Sequence, residues 1–255
     1  MNYKDLHLDR GNDYDASISS SAFDSYMAFW EEKHIRKIVK AQFGGAVGRY
    51  LDFACGTGRI TQVIAEYAND IIGIDVSQSM LEVARSKLPC AEFVKADLTS
   101  EKVDLGQFDL ISSFRFFGNA EPALRLAALL ALNPLLKARG YLLVNNHRNP
   151  LALLSLVDRL RGGTLSVDLT YRSLTRLLRN ADFTVVAAYP IGAWQFRYAL
   201  AARAGTSPKQ EAFLERIFSS GLWATIAPDT IVLARKNEAP QDKVKVAGAP
   251  KWLHT

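Results

Sequence analysis

The chain has 255 residues, 49% of them hydrophobic and 22% charged, the balance of a globular protein with room for one sizeable α/β domain. Its net charge of +5 is too mild to imply a nucleic-acid partner, and part of it comes from Lys236, Lys243, Lys245 and Lys251 near the C-terminus. The two cysteines, Cys55 and Cys90, make no disulfide framework and lie in no metal-ligand spacing, so a reducing cytoplasm and no bound metal are expected. The polar start, residues 1–5, holds no signal-peptide core. The most apolar run, residues 124–136, is broken by Arg125, Asn133 and Pro134, so no membrane span is expected.

Residues 1–20 are polar and lack periodicity. From 21 to about 42 apolar residues recur at helical spacing (Phe23, Tyr26, Met27, Trp30, Ile35, Ile38, Val39), which predicts one or two amphipathic helices before the first strand. A strand is predicted at 50–53, and a helix at 59–68 with Ile60, Val63, Ile64 and Tyr67 on one face. A second strand covers 71–75. Ser77 is placed to cap the following helix, which Pro89 stops. Strands at 92–95, 108–112 and 141–145 follow, with a helix at 122–132 between the last two. Strands alternating with helices predict a doubly wound, mostly parallel sheet covered on both faces. Beyond Pro150, helices are predicted at 151–160 and 173–180, strands at 184–188 and 230–235, and a partly helical insertion between them. The organisation expected is an N-terminal helical lid (1–45), one domain (46–236, with an insertion at about 191–228) and a disordered tail (237–255).

Chemistry concentrates after the first strand. Gly56 and Gly58 follow it at a spacing that lets the backbone turn sharply and a ligand approach closely. About 20 residues on, the apolar strand at 71–75 ends in Asp75, where nucleotide-binding folds place a ribose-hydroxyl acceptor. A nucleoside-containing cofactor is the first hypothesis. A nicotinamide dehydrogenase would want a small residue where Thr61 stands, three positions past Gly58.

With these segments placed, residues 48–146 resemble the class I S-adenosylmethionine-dependent methyltransferases, a family of Rossmann-like seven-stranded folds. The pieces are Leu51-Asp52-Phe53-Ala54-Cys55-Gly56-Thr57-Gly58, Gly73-Ile74-Asp75-Val76-Ser77-Gln78-Ser79-Met80-Leu81, Ala96-Asp97-Leu98, and the strand pair at 108–111 and 135–144. Ala54 and Arg139 stand where the family often has glycine.

The resemblance implies S-adenosylmethionine as cofactor. Asp52 and the turn from Ala54 through Gly56 to Gly58 would cradle its methionine part, and Asp75 would accept from both ribose hydroxyls. Val76 and Met80 would flank the adenine, Asp97 and Leu98 would contact its edge, Ser113 would sit beside the sulfonium, and Tyr14 would lid the site. Asp97 has a turn residue as its alternative reading, and Cys55 reads as a small packed side chain.

His147, just past the fifth strand, reads either as a general base or as a hydrogen-bonded histidine. Arg115 reads as a partner for a substrate carboxylate or phosphate, or as an ordinary ion-pair member. Phe117 and Asn146 are further candidates for the acceptor pocket. The sequence lacks the Asn/Asp-Pro-Pro-aromatic run of base N-methylation and a cysteine after strand four. Asn145 and Asn146 replace the carboxylates of a magnesium site. A small-molecule acceptor remains, with a non-catalytic cofactor-binding module and an RNA-modifying enzyme as the alternatives.

Overall fold

The computed structural model describes residues 22–160, 162, 168–194 and 208–238. Seven strands, β1 (Val47–Phe53), β2 (Ala68–Asp75), β3 (Glu92–Lys95), β4 (Phe108–Ser113), β5 (Leu136–Asn145), β6 (Phe183–Ile191) and β7 (Asp229–Lys236), form one sheet in the order β3-β2-β1-β4-β5-β7-β6. All pairings are parallel except those of β7, which runs antiparallel between β5 and β6. The doubly wound, mostly parallel sheet expected from the alternating pattern is the one present. The strand order reverses between β1 and β4, and ligands of open α/β sheets settle beyond the carboxyl ends of the strands at that point.

The helices are α1 (Ala22–Phe43), α2 (Arg59–Ala65), α3 (Gln78–Lys87), α4 (Pro122–Leu135), α5 (Leu153–Leu160), α6 (Tyr171–Asn180) and α7 (Pro208–Ile217). Side chains alternate across each strand, and the two faces bury different sets. Leu51, Ile72, Ile111 and Val144 pack with Leu129 and Leu132 of α4 and Leu174 and Leu178 of α6. Tyr50, Ile71, Leu110 and Leu143 pack with Met27, Trp30, Ile35 and Ile38 of α1 and Ile60 and Ile64 of α2. Each such fully buried aliphatic side chain contributes about 1.5–3 kcal/mol.

The N-terminal segment forms a single helix rather than two, since its buried stripe (Met27, Trp30, Ile35, Ile38, Val39) runs on without a break. Helix α2 ends at Ala65, shorter than its periodicity suggests, because Ala68 already pairs with Val47 of β1. Strand β5 begins at Leu136, earlier than the apolar run from Tyr141. Lys137, Ala138 and Arg139 carry it across a register shift beside Phe108, where Arg139 takes a left-handed φ of 62°. Pro190 sits in β6, an edge strand, the place in a sheet where a missing N–H costs little.

Register sets the geometry of the site. Asp52 of β1 lies opposite both Gly73 of β2 and Ser112 of β4, which brings three strand ends level. A Cβ at Gly73 would stand 2.5 Å from the Phe93 ring, so only glycine lets β3 close against this edge.

Of the insertion, its edges and α7 are described. Glu215 of α7 is buried and accepts from the Trp194 ring N–H at 2.6 Å, the Tyr26 hydroxyl at 2.9 Å and the Gly192 N–H at 2.9 Å. One carboxylate thus ties α7, the end of β6 and α1 together.

Candidate active site

Two neighbouring groups of residues gather at the carboxyl ends of the strands. The first surrounds the glycine turn. Ala54, Gly56 and Gly58 all take left-handed φ angles (55°, 53° and 75°). Glycine is needed at Gly58, where a Cβ would also come within 3.2 Å of Ala84. Ala54 accepts its angle at a cost of about 1 kcal/mol. The Gly56 N–H donates to Asp75 Oδ2 at 2.8 Å and the Ser77 N–H to Asp75 Oδ1 at 2.9 Å, so the Asp75 carboxylate holds the turn against the start of α3. A Cβ built on Gly56 would meet nothing within 4 Å, which leaves open space over the turn.

Asp52, beneath this turn, is buried and stitches three elements. Its Oδ2 accepts from the Thr61 hydroxyl of α2 at 2.6 Å and its Oδ1 from the Ser112 hydroxyl of β4 at 2.7 Å. Ser112 in turn lies 2.6 Å from the Tyr50 hydroxyl. Burial pushes the Asp52 carboxyl up to about 6, and the two hydroxyl donors oppose that rise.

Val76 is half-buried and Met80 buried, on the α3 side of Asp75. Asp97 accepts from the Thr99 N–H at 3.1 Å, the Thr99 hydroxyl at 2.6 Å and the Ser100 hydroxyl at 2.8 Å. It closes the turn after β3, while Leu98 joins the core. Ser113, at the end of β4, is fully buried, and its hydroxyl has no hydrogen-bond partner among the described residues.

The second group is a buried polar cluster where β4, β5 and β7 meet α1. Arg115 takes a left-handed φ of 58°, and its backbone N–H donates to Asn145 Oδ1 at 2.7 Å. Asn145 Nδ2 donates to Glu31 Oε1 of α1 at 3.0 Å and to the two carboxylate oxygens of Asp229 at 3.1 and 3.3 Å. His147 is buried with its Nδ1 2.9 Å from Asp229 Oδ2, and its Nε2 lies 3.9 Å from Asp24 Oδ1. Arg59, the first residue of α2, reaches Glu31 Oε2 at 2.7 Å, and Arg115 Nη1 stands 3.5 Å from Asp24. Burial holds the His147 ring down to about 3, the nearby Arg115 charge adding to the effect. Burial also lifts Asp229 to about 6. Around neutral pH the ring is therefore uncharged and the carboxyl ionised.

Donor atoms of Glu31, His147 and Asp229 all lie within 4.8 Å of one another, the span of a small metal-ligand set. Arg59 pairs with Glu31, and the neutral Asn145 amide donates to both Glu31 and Asp229, so both carboxylates already have partners without an ion.

Of the acceptor-side candidates, Arg115 and His147 share this cluster. Phe117 is fully buried in the core, edge to face with Phe116 at 5.2 Å. Asn146 is buried as well; its amide donates to the Leu169 carbonyl and accepts from the Tyr171 N–H, both at 2.9 Å, which holds the approach to α6. Tyr14 lies outside the described residues.

Glu31, Asn145 and Asp229 are the members that sequence reasoning missed as site residues. Glu31 carried one usable sign: it sits in the apolar stripe of α1, between Met27 and Ile35, where a charge needs a buried partner.

Residues 51–140 match the family model of a methyltransferase domain. The chain is 32% identical over 101 residues to a putative methyltransferase YqeM of Bacillus subtilis, covering 38% of this chain and 37% of the relative. It is 29% identical over 126 residues to a demethylmenaquinone methyltransferase of Renibacterium salmoninarum (49% and 52% covered). A trans-aconitate 2-methyltransferase of Rhizobium rhizogenes is 40% identical over 65 residues (23% and 25% covered). The chain thus spans about half or less of the length of these three relatives.

In fold it is similar to magnesium protoporphyrin IX methyltransferase of Synechocystis, solved with bound S-adenosylhomocysteine. The TM-score is 0.64 at 13% identity, with 92% of this chain and 98% of that one covered. The N-methyltransferase NodS of Bradyrhizobium japonicum gives 0.60 at 17% identity (93% and 100% covered). Sheet order, glycine turn, matched segment and neighbours agree: residues 51–140 are a methyltransferase domain, carried on the fold of the S-adenosylmethionine-dependent methyltransferases.

Proposed function

We propose that this protein transfers the methyl group of S-adenosylmethionine to an oxygen or nitrogen of a small-molecule acceptor. The observation that carries the reading is the crevice over the glycine turn. There Asp75 is anchored on the Gly56 and Ser77 amides, the space above Gly56 is open, and the buried Ser113 hydroxyl awaits a partner. Asp52, Ala54, Gly56 and Gly58 would hold the methionine part, Asp75 the ribose, and Val76, Met80, Asp97 and Leu98 the adenine, with Ser113 near the sulfonium.

Bound there, the cofactor supplies an electrophilic methyl: its S–CH3 bond breaks, the electrons staying on sulfur, as the acceptor–CH3 bond forms. The protein's main task is to hold the acceptor in line. Arg115 and His147 line the acceptor side. His147 receives the proton that the acceptor gives up, and Arg115, beside Asp24, orients a polar group of the acceptor. Helices α1 and α7, tied to each other through Glu215, form the cover. The relatives named for demethylmenaquinone and trans-aconitate favour a small acceptor over nucleic acid.

Calorimetric titration with S-adenosylhomocysteine is expected to give a single saturable site. A heat trace indistinguishable from buffer would overturn the proposal.

A further inference from the structure

Among the described residues one chain of hydrogen bonds fixes a proton position, and it starts from a group whose role is beyond ambiguity. The Arg115 backbone N–H can only donate, and it points at Asn145 Oδ1 at 2.7 Å. That contact orients the Asn145 amide, so its Nδ2 must be the donor toward Glu31 and Asp229. Asp229, facing the Asn145 amide and the Thr230 backbone N–H, is thereby an acceptor. His147 Nδ1, 2.9 Å from Asp229 Oδ2, is then left to carry the ring proton. The remaining nitrogen, Nε2, bears a lone pair and points to the side where Asp24 of α1 stands, 3.9 Å away.

We propose that Asp229 is the positioning residue of His147, and that the Arg115 amide, relayed through Asn145 and Asp229, locks the imidazole in the tautomer with a bare Nε2. This rests on the reading of His147 as the proton acceptor and gives that reading its geometry. As the acceptor's X–H bond breaks, its electron pair stays on X, which has formed the bond to the methyl carbon. The proton joins Nε2, and the imidazolium that results is stabilised by Asp229 on its other side. The backbone turns left-handed at this same residue, Arg115. A divalent ion on Glu31, His147 and Asp229 would need Nδ1 stripped of its proton and Asn145 turned away from both carboxylates. Arg59 at Glu31 opposes it by charge.

The test is the tautomer itself, read by long-range proton–nitrogen correlation spectra of protein labelled with nitrogen-15 in histidine. Wild-type His147 is expected to show a protonated Nδ1 and an unprotonated Nε2 at pH 7.5. In Asp229→Asn the new amide, held by Asn145 on its oxygen, would donate to Nδ1, and the proton should move to Nε2. Affinity for S-adenosylhomocysteine should stay within about twofold of wild type, since no candidate cofactor contact is altered. A wild-type ring carrying its proton on Nε2 would overturn the proposal. So would an Asp229→Asn ring with an unchanged tautomer, or loss of the Nδ1–H signal on adding stoichiometric Zn2+. If Asp229→Asn fails to fold, the wild-type spectrum decides alone. Failure of S-adenosylhomocysteine to bind would sink the methyl-transfer reading without moving the tautomer, so the two failures are separable.

Discussion

The hydroxyl of Thr61 donates to the carboxylate of Asp52 at 2.6 Å, within the protein and nine residues along the chain. Thr61 occupies the position that a dinucleotide-binding turn keeps small for close helix–strand contact. Here the extra side chain is employed to satisfy a buried acid at the end of β1. Thr61→Val keeps the shape and removes the donor. It is expected to destabilise the fold by about 1–3 kcal/mol in denaturant unfolding, the cost of a buried acceptor left short of a bond. The loss should be larger at pH 8 than at pH 5, because Asp52, raised to about 6 by burial, is protonated in the folded protein at the lower pH.

Asp75 bridges the glycine turn and the start of α3 through the Gly56 and Ser77 amides. Asp75→Ala is expected to weaken S-adenosylmethionine binding at least about tenfold, through two lost hydroxyl acceptors and a loosened turn. Calorimetry giving an unchanged dissociation constant would remove Asp75 from the ribose role.

His34 of α1 is buried beside Trp30 (ring centroids 6.0 Å apart) and Tyr189 (5.7 Å), and neither ring nitrogen has a hydrogen-bond partner among the described residues. Burial first, then the Lys37 and Lys33 charges, hold its pKa down to about 4 from 6.5. The unfolded chain therefore binds a proton that the folded one refuses. Stability from this site is fully present above pH 6.5 and is lost as pH falls toward 4. His34→Phe removes the linkage. Compared with the parent, the variant is expected to gain about 2 kcal/mol on going from pH 7.5 to pH 5. Parallel stability–pH curves for the two proteins would show that His34 does not titrate this way.

The strands and the glycine turn were legible because both rest on local patterns. Apolar runs ending in Phe53, Asp75 and Ser112 spell strands, and Gly58 needs a left-handed backbone that its sequence position announces. The buried polar cluster was not legible in the same way. Glu31 and Asp229 are ordinary surface residue types, and what makes them otherwise is burial against partners 114 and 84 residues away through Asn145. Asn145 itself entered the reading only as the absence of a magnesium-binding carboxylate. The early start of β5 escaped as well, since Lys137, Ala138 and Arg139 look like a turn until the Phe108 edge pulls them into register.

Asn145 joins a carboxylate from the first described helix to one from the last strand. The buried polar cluster cannot form on a ribosome-bound chain until β7 has emerged and slotted between β5 and β6. A half-made molecule could already possess its glycine turn, yet it would lack the imidazole's anchor. The cluster is complete only once β7, the last described strand, is in place.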